Sequence, residues 1–376
     1  MVDKARLIKL TQELVRIDSQ NPPGDESRIG DFVRKYLQGL GLKPKIYEFK
    51  KNRPNVLATL EGVNKRKSFL ITPHLDTVPA GRSWKINPFS GKIINNRIYG
   101  LGATDCKCNL ACALEVIQSL IEDNRTLDYN LIFAGTADEE TGSDLGLIPL
   151  LNKSILKLDA ALVLDADDFH IVVAQKGLVH LKVKIQGKRA HGAYPWKGIN
   201  AIDIALKAIK EIKAYRPRTK KHKYLRPPTI NVGTIRGGDK VNIVADWCEF
   251  ELDFRFLPGD SEKAWLKELQ KILKRHAKKF EIEIESIQAP YSIKENHPLV
   301  TGLKNAMRKM KVKPLIAGSE GATVITFFQH KNIPALATGF GKAGCAHIAN
   351  EYVPIKNLYK GALVLEEFLR GITWKE

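Results

Sequence analysis

From Asn55 onward the chain alternates short apolar runs with stretches of helical periodicity. Asn55–Leu60, Ser68–Thr72, Asn130–Ala134, Ala160–Leu164 and Pro334–Thr338 are mostly apolar and five or six residues long. Runs of this length without polar alternation predict strands buried on both faces. Between them, Asn109–Glu122 and Leu145–Asn152 predict helices. At the start of the chain Leu7, Leu10, Leu14 and Ile17 recur at helical spacing and predict an amphipathic helix. Strands alternating with helices are the pattern of an α/β domain with a central, mostly parallel sheet covered by helices.

The middle of the chain has a different rhythm. Val179–Ile185 alternates as a half-buried strand, and Ala201–Tyr215 is helical. Thr229–Ile235 and Ala245–Phe256 predict two more strands, Ser261–Lys278 a helix and Phe280–Ile287 a last strand. The order β-α-β-β-α-β is that of a ferredoxin-like unit. The expected organisation is a catalytic domain in two parts, residues 1–176 and 289–376, with an inserted domain at 177–288. A length of 376 residues agrees with two domains.

Composition narrows the class. Hydrophobic residues make up 44% of the chain, enough for packed cores, and no run approaches the roughly 18 apolar residues of a membrane span. Charges at Asp3, Lys4, Arg6 and Lys9 interrupt what would be the apolar core of a signal peptide, so a cytoplasmic location is expected. Five cysteines, an odd number in a long chain, argue for reduced thiols, and the spacing Cys106-Lys107-Cys108 does not match a zinc knuckle. The net charge of +19 includes a dense basic stretch from Lys207 to Arg226. A nucleic-acid footprint has this appearance. The stretch holds only Tyr215 and Tyr224 as aromatics and no recognised binding motif, so it is read as a solvated lysine-rich face. Neither nucleic acid nor a membrane is an expected partner.

The candidate chemistry sits at strand ends, where α/β sheets bind their ligands. His74-Leu75-Asp76 follows Ser68–Thr72 and places Asp76 on the face of His74, where it can hold the second ring nitrogen. Asp105 closes the loop Gly100–Asp105, and Asp138-Glu139-Glu140 follows Asn130–Ala134. Three consecutive acids repel one another unless cations lie nearby. Asp165 ends Ala160–Leu164, and His347 follows Pro334–Thr338 after the loop Gly339–Gly344. Each has an ordinary alternative, such as a surface histidine, a helix cap or an acidic turn. Together they are two imidazoles and several carboxylates, the donor set zinc takes in catalytic sites. A serine or cysteine nucleophile pattern, a phosphate loop and a dinucleotide fingerprint are absent from the sequence.

These residues carry a resemblance. Ile17–Glu26, His74–Pro79, Gly102–Lys107, Asp138–Gly142, Ala190–Pro195 with Gly198–Ala201, Gly237-Gly238 with Val241-Asn242, and Ala346–Val353 occur in the order of one family. It is the family of dinuclear zinc peptidases that includes acetylornithine deacetylase, succinyl-diaminopimelate desuccinylase, glutamate carboxypeptidase and aminoacylase. The likeness runs through essentially the whole chain. It implies a zinc-peptidase-like catalytic domain and an inserted dimerisation or lid domain. It implies two Zn2+ per chain, replaceable by Co2+ or Mn2+, with Asp105 bridging, His74 and Asp165 completing one site and Glu140 and His347 the other. Glu139 would be the general base, Asp76 would support His74, and His191 would reach the active site of a partner in a homodimer. Asn242 and Arg255 would hold the substrate, Arg255 by a bidentate grip on a carboxylate. The implied reaction is hydrolysis of an amide or peptide bond in an N-acyl amino acid or small peptide with a free carboxylate. The alternative is the same fold kept as a non-catalytic binding protein. Two departures bear on specificity: Cys108-Asn109 stands where the family usually has Gly-Gly, and Gly318–Thr323 lacks the arginine of Thr-x-Asp-Ala-Arg.

Overall fold

The structure, a computed structural model, describes residues 1–124, 126–165, 168–321 and 323–373. The chain divides into two compact units. The first comprises Met1–Val173, Ile293–Ala317 and Thr323–Glu376, and the second comprises Ala174–Ser292 with Gly318–Ala322.

The first unit is built on a mixed sheet. Four strands lie side by side in the order Asn130–Gly135, Ser68–Thr72, Ala160–Leu164 and Ala335–Thr338, all parallel. Pro54–Leu60 and Lys45–Glu48 extend one flank antiparallel, and His170–Gln175 extends the other. The sheet is therefore parallel along four of the five apolar runs, while the fifth, Asn55–Leu60, forms an antiparallel flanking strand. Ala160–Leu164 and Ala335–Thr338 are buried at every position, as central parallel strands require. Helix Lys107–Glu122 is buried almost all round and packs on Ile355–Gly371 and Lys4–Val15. Leu7, Leu10 and Leu14 face the interior, but the first helix stops at Val15, so Ile17 lies beyond it. A small antiparallel sheet, Lys92–Ile94, Arg97–Tyr99 and Tyr352–Pro354, ties the segment before Asp105 to the one after His347.

The second unit has strands Gly177–Gln186, Thr229–Gly237, Trp247–Phe256 and Lys279–Gln288, with helices Ala201–Ala214 and Glu262–His276. Its sheet is antiparallel throughout, with Trp247–Phe256 and Gly177–Gln186 at the centre. Alternation along Trp247–Phe256 sends Phe250, Leu252, Phe254 and Phe256 into one core with Trp265, Leu269 and Ile212 from the helices. The opposite face is charged, with pairs such as Lys182–Glu251 at 3.2 Å crossing between strands.

Candidate metal centre

Four parallel neighbours present their carboxyl ends along one edge of the first unit's sheet, and the candidate residues follow those ends. His74 lies two residues past Thr72, Asp138–Glu140 three to five past Gly135, and Asp165 directly past Leu164. His347 is carried back to the same edge by the loop after Thr338. His74 Nε2 is 3.1 Å from Asp105 Oδ1 and 3.7 Å from Asp165 Oδ1. His347 Nε2 is 3.3 Å from Asp105 Oδ2 and 3.2 Å from Glu140 Oε2. Asp105 thus turns one oxygen to each histidine. The donor atoms of Asp105, Glu140 and His347 lie within 4.8 Å of one another, as do those of His74, Asp105 and Cys106.

The electrostatics are those of a crowded acidic site. Burial pushes Glu139 well above the usual carboxylate range, with the charge of Asp165 adding to it. Burial likewise raises Glu140 and Asp165. Burial works against ionisation of Asp105 too, but hydrogen bonds to His347 and His74 hold it below the normal range. The carboxylates of Asp105 and Glu140 push His347 up to about 10. Glu140 Oε1 is buried without a hydrogen-bond partner. An unpaired buried carboxylate oxygen is costly and calls for a cation or donor that the protein does not itself supply.

A second ring of buried residues aims these groups. The His74 ring is met through Nδ1 by the backbone carbonyl of Asp76 at 2.9 Å, while the Asp76 carboxylate stands 3.5 Å away. That carboxylate accepts instead from the backbone N–H of Glu139 and of Glu140, both at 3.1 Å, and from Asn21 Nδ2 at 2.9 Å. Asp76 therefore fixes the turn that bears Glu139 and Glu140 as well as supporting His74. Asp138, at φ 67°, is anchored by Arg53 at 2.9 Å, and the same guanidinium forks onto Glu26. Glu351 receives the N–H groups of Gly102, Thr104 and Asp105 at 2.6–2.9 Å, and burial pushes its carboxyl up to about 7. The loop can follow this path because Gly102 sits at φ 77°, where a Cβ would fall 2.6 Å from Thr77 Cγ2. Lys107 is fully buried, donates to the carbonyl of Ile17 at 2.7 Å, and is pulled down to about 8 by that burial.

The segments Ile17–Glu26 and Ala346–Val353 belong to the sequence pattern, but nothing in the sequence marks the tasks of Asn21, Glu26 and Glu351. Arg53 had no signal, being hidden in the basic run Lys50-Lys51-Asn52-Arg53. Of the two departures, Asn109 is buried and accepts from Phe340 N–H at 2.9 Å, tying the helix start to the glycine-rich segment that leads to His347. In the other, Ala322 lies outside the described residues, while Glu320 pairs with buried Lys176 at 2.6 Å and accepts from Arg226 N–H.

The second unit brings His191 and Asn242 together. Ala190–His191 pairs antiparallel with Ile243–Val244, and Gly192 N–H donates to the Asn242 carbonyl at 2.8 Å. Arg255 lies elsewhere on that unit, and its Nε and Nη2 fork onto Asp253 at 2.7 and 2.8 Å. The fork expected to grip a substrate carboxylate is thus engaged by a neighbouring side chain.

The family model of peptidase family M20/M25/M40 matches residues 70–371. The chain belongs to peptidase family M20. This M20 chain is 30% identical over 321 residues to an acetylornithine deacetylase of Pectobacterium carotovorum, covering 81% of this chain and 80% of that one. It is 28% identical over 412 residues to an uncharacterized metallohydrolase of Methanocaldococcus jannaschii, covering 96% and 98%. Among solved structures it is similar to a tripeptidase of Staphylococcus aureus, with 27% identity, a TM-score of 0.84 and 98% of each chain covered. As an M20 member the chain is a metal-dependent hydrolase of the metallopeptidase and amidohydrolase type.

Proposed function

We propose that this M20 member uses two divalent metal ions to hydrolyse an amide or peptide bond in an N-acyl amino acid or small peptide that carries a free carboxylate. The observation that supports it most is the division of Asp105, whose Oδ1 faces His74 and whose Oδ2 faces His347. The unpartnered Glu140 Oε1 and the nitrogen and oxygen donor set fit zinc, with cobalt or manganese as substitutes. Asp105 would bridge, with His74 and Asp165 on one ion and Glu140 and His347 on the other. Such a pair of ions supplies polarisation of the scissile carbonyl and a water acidic near neutral pH.

The chain's own groups do the rest. Glu139 takes a proton from the attacking water and hands it to the leaving nitrogen, a role suited to a carboxyl whose proton affinity burial has raised. Asp76 holds the Glu139 N–H and so sets where that carboxyl sits. His191 acts in the active site of a partner within a homodimer that forms through residues 177–288, between catalytic segments 1–176 and 289–376. Asn242 contacts the substrate, and Arg255 holds its carboxylate through the edge that Asp253 leaves open. A substrate of this kind suits a chain of net charge +19 and agrees with the names borne by the deacetylase and tripeptidase relatives.

The test is a metal count joined to a hydrolysis screen. Elemental analysis after dialysis is expected to give two divalent ions per chain. Chelation is expected to abolish cleavage of N-acyl amino acids and di- and tripeptides, with zinc or cobalt restoring it. Full turnover by metal-free protein would sink the proposal.

A further inference from the structure

The second unit holds 25 Lys and Arg against 14 Asp and Glu, and so carries +11 of the chain's +19 on about a third of its residues. This excess is not spread evenly. Residues 201–226 hold nine basic and two acidic side chains, and residues 260–279 hold seven and three. The remainder of the unit, including the outward face of its sheet, balances at nine of each. All the net charge of the unit therefore lies on its two helices and the segments that flank them.

The helices present that charge on one surface. Ala201, Ala205, Ala208 and Ile212 on one helix, and Trp265, Leu269, Ile272 and Leu273 on the other, are buried against the sheet. At 100° per residue, Lys207, Lys210 and Lys213 lie opposite the first set, and Lys263, Lys267 and Lys274 opposite the second. None of these six makes an ion pair among the described residues, whereas Glu211 between the helices is already held by Arg275 and His276. The helices pack side by side, which sets the two lysine rows about 8–10 Å apart. Steps of three or four residues set Lys207, Lys210 and Lys213, and Lys263 and Lys267, about 4.5–6 Å apart along the axis, and Lys274 lies seven residues, about 10 Å, beyond Lys267. The sequence shows only the 207–226 stretch; the second row, from residues 263–278, joins it through the fold.

Two observations select the partner. Single-stranded nucleic acid is held on exposed aromatic platforms, and this layer offers none: Trp265 is 3% exposed and faces the sheet, and Tyr215 and Tyr224 beside the first helix are half-buried. A membrane-binding helix keeps its apolar face free, yet here both apolar faces are buried and Leu206 is the one large apolar side chain exposed on this layer among the described residues. What remains is a surface on which exposed lysines outnumber acids, with Asp203 the acidic side chain exposed among them on the first helix. We propose that this helical layer is a sequence-independent docking face for the phosphate backbone of duplex nucleic acid, separate from the hydrolytic centre.

The experiment is fluorescence anisotropy with a labelled mixed-sequence 20-base-pair duplex, titrated between 50 and 200 mM KCl. Contact with about five phosphates predicts a slope of log K against log salt near −4.5. Replacing Lys207, Lys210, Lys263 and Lys267 together by Gln is expected to weaken binding at 100 mM salt at least thirtyfold and to flatten the slope. The charge-matched control replaces Lys43, Lys50, Lys51 and Lys331 of the first unit by Gln, all exposed and without ion pairs among the described residues, and is expected to change binding less than threefold. Both variants should keep wild-type circular dichroism. The proposal is overturned if the control loses as much as the test variant, or if no duplex binding is seen at 50 mM salt. It is overturned equally if a single strand of the same length, polyglutamate or phosphatidylserine vesicles bind as tightly as the duplex.

Discussion

Arg53 offers a direct test of how the centre is held. It is 4% exposed, and its guanidinium donates to both oxygens of Glu26, which is fully buried, and to Asp138 Oδ1 at 2.9 Å. Asp138 in turn receives the hydroxyl of Thr141 and the N–H of Leu145, closing the turn that bears Glu139 and Glu140. Replacing Arg53 by Ala removes three charge-assisted bonds and leaves two carboxylates buried without their cation. Breaking a buried ion pair from one side costs about 3–5 kcal/mol, which for a unit of this size lowers Tm by roughly 6–20 °C. Arg53→Lys keeps the charge but loses the fork, so its cost should fall between wild type and Arg53→Ala. The deficit should also depend on pH with a definite sign. Burial already raises the Glu26 carboxyl, and loss of Arg53 raises it further. A group whose folded pKa is raised favours the native state at low pH and loses that contribution as pH rises, so the Arg53→Ala deficit should be smaller at pH 5 than at pH 7.5. Because the turn positions Glu139, a displacement near 1 Å should lower kcat about a hundredfold. Urea unfolding at the two pH values, with kcat on an N-acyl amino acid, measures both effects. A stability loss under 1 kcal/mol with unchanged kcat would show that the network neither stabilises the unit nor aims the turn.

Three further expectations concern the hydrolytic centre. Glu139→Ala should retain bound metal yet lose several orders of magnitude in turnover, whereas His347→Ala should lose metal as well; near-normal turnover of Glu139→Ala would mean another base. Mixing His191→Ala chains with Glu139→Ala chains should restore part of the activity in an exchanging dimer, and no rescue there would contradict action across subunits. Arg255→Ala should erase the preference for an N-acyl amino acid over its C-terminal amide, a loss of about ten- to a hundredfold in kcat/KM. An unchanged preference would return Arg255 to its pair with Asp253.

Much of the fold is written in local pattern. Ser68–Thr72 and Ala160–Leu164 occupy the residues that their apolar runs mark, because a strand buried on both faces must be apolar along its length. The helix Glu262–His276 and the strand Trp247–Phe256 are likewise legible from their 3.6- and 2-residue periods. So are His74, Asp105, Glu139, Glu140, Asp165 and His347, each of which follows a strand or a glycine-rich loop. Lys45–Glu48 at the sheet's edge, the buried strand His170–Gln175 and the helix Ile355–Gly371 are visible only in the structure. Tertiary structure alone decided that four particular strands lie adjacent and parallel, which brings residues up to 273 positions apart, His74 and His347, to one carboxylate. It alone showed Arg53 between Glu26 and Asp138, since a buried arginine and a solvated one are the same letter. It also gave the Arg255 fork to Asp253 and the Asp76 carboxylate to the backbone of Glu139 and Glu140. The division has one physical cause. Periodicity reports which side of an element avoids water, a property of neighbours in the chain, whereas the partner of a charged group is set by strand order and loop path, which depend on contacts made across the whole fold.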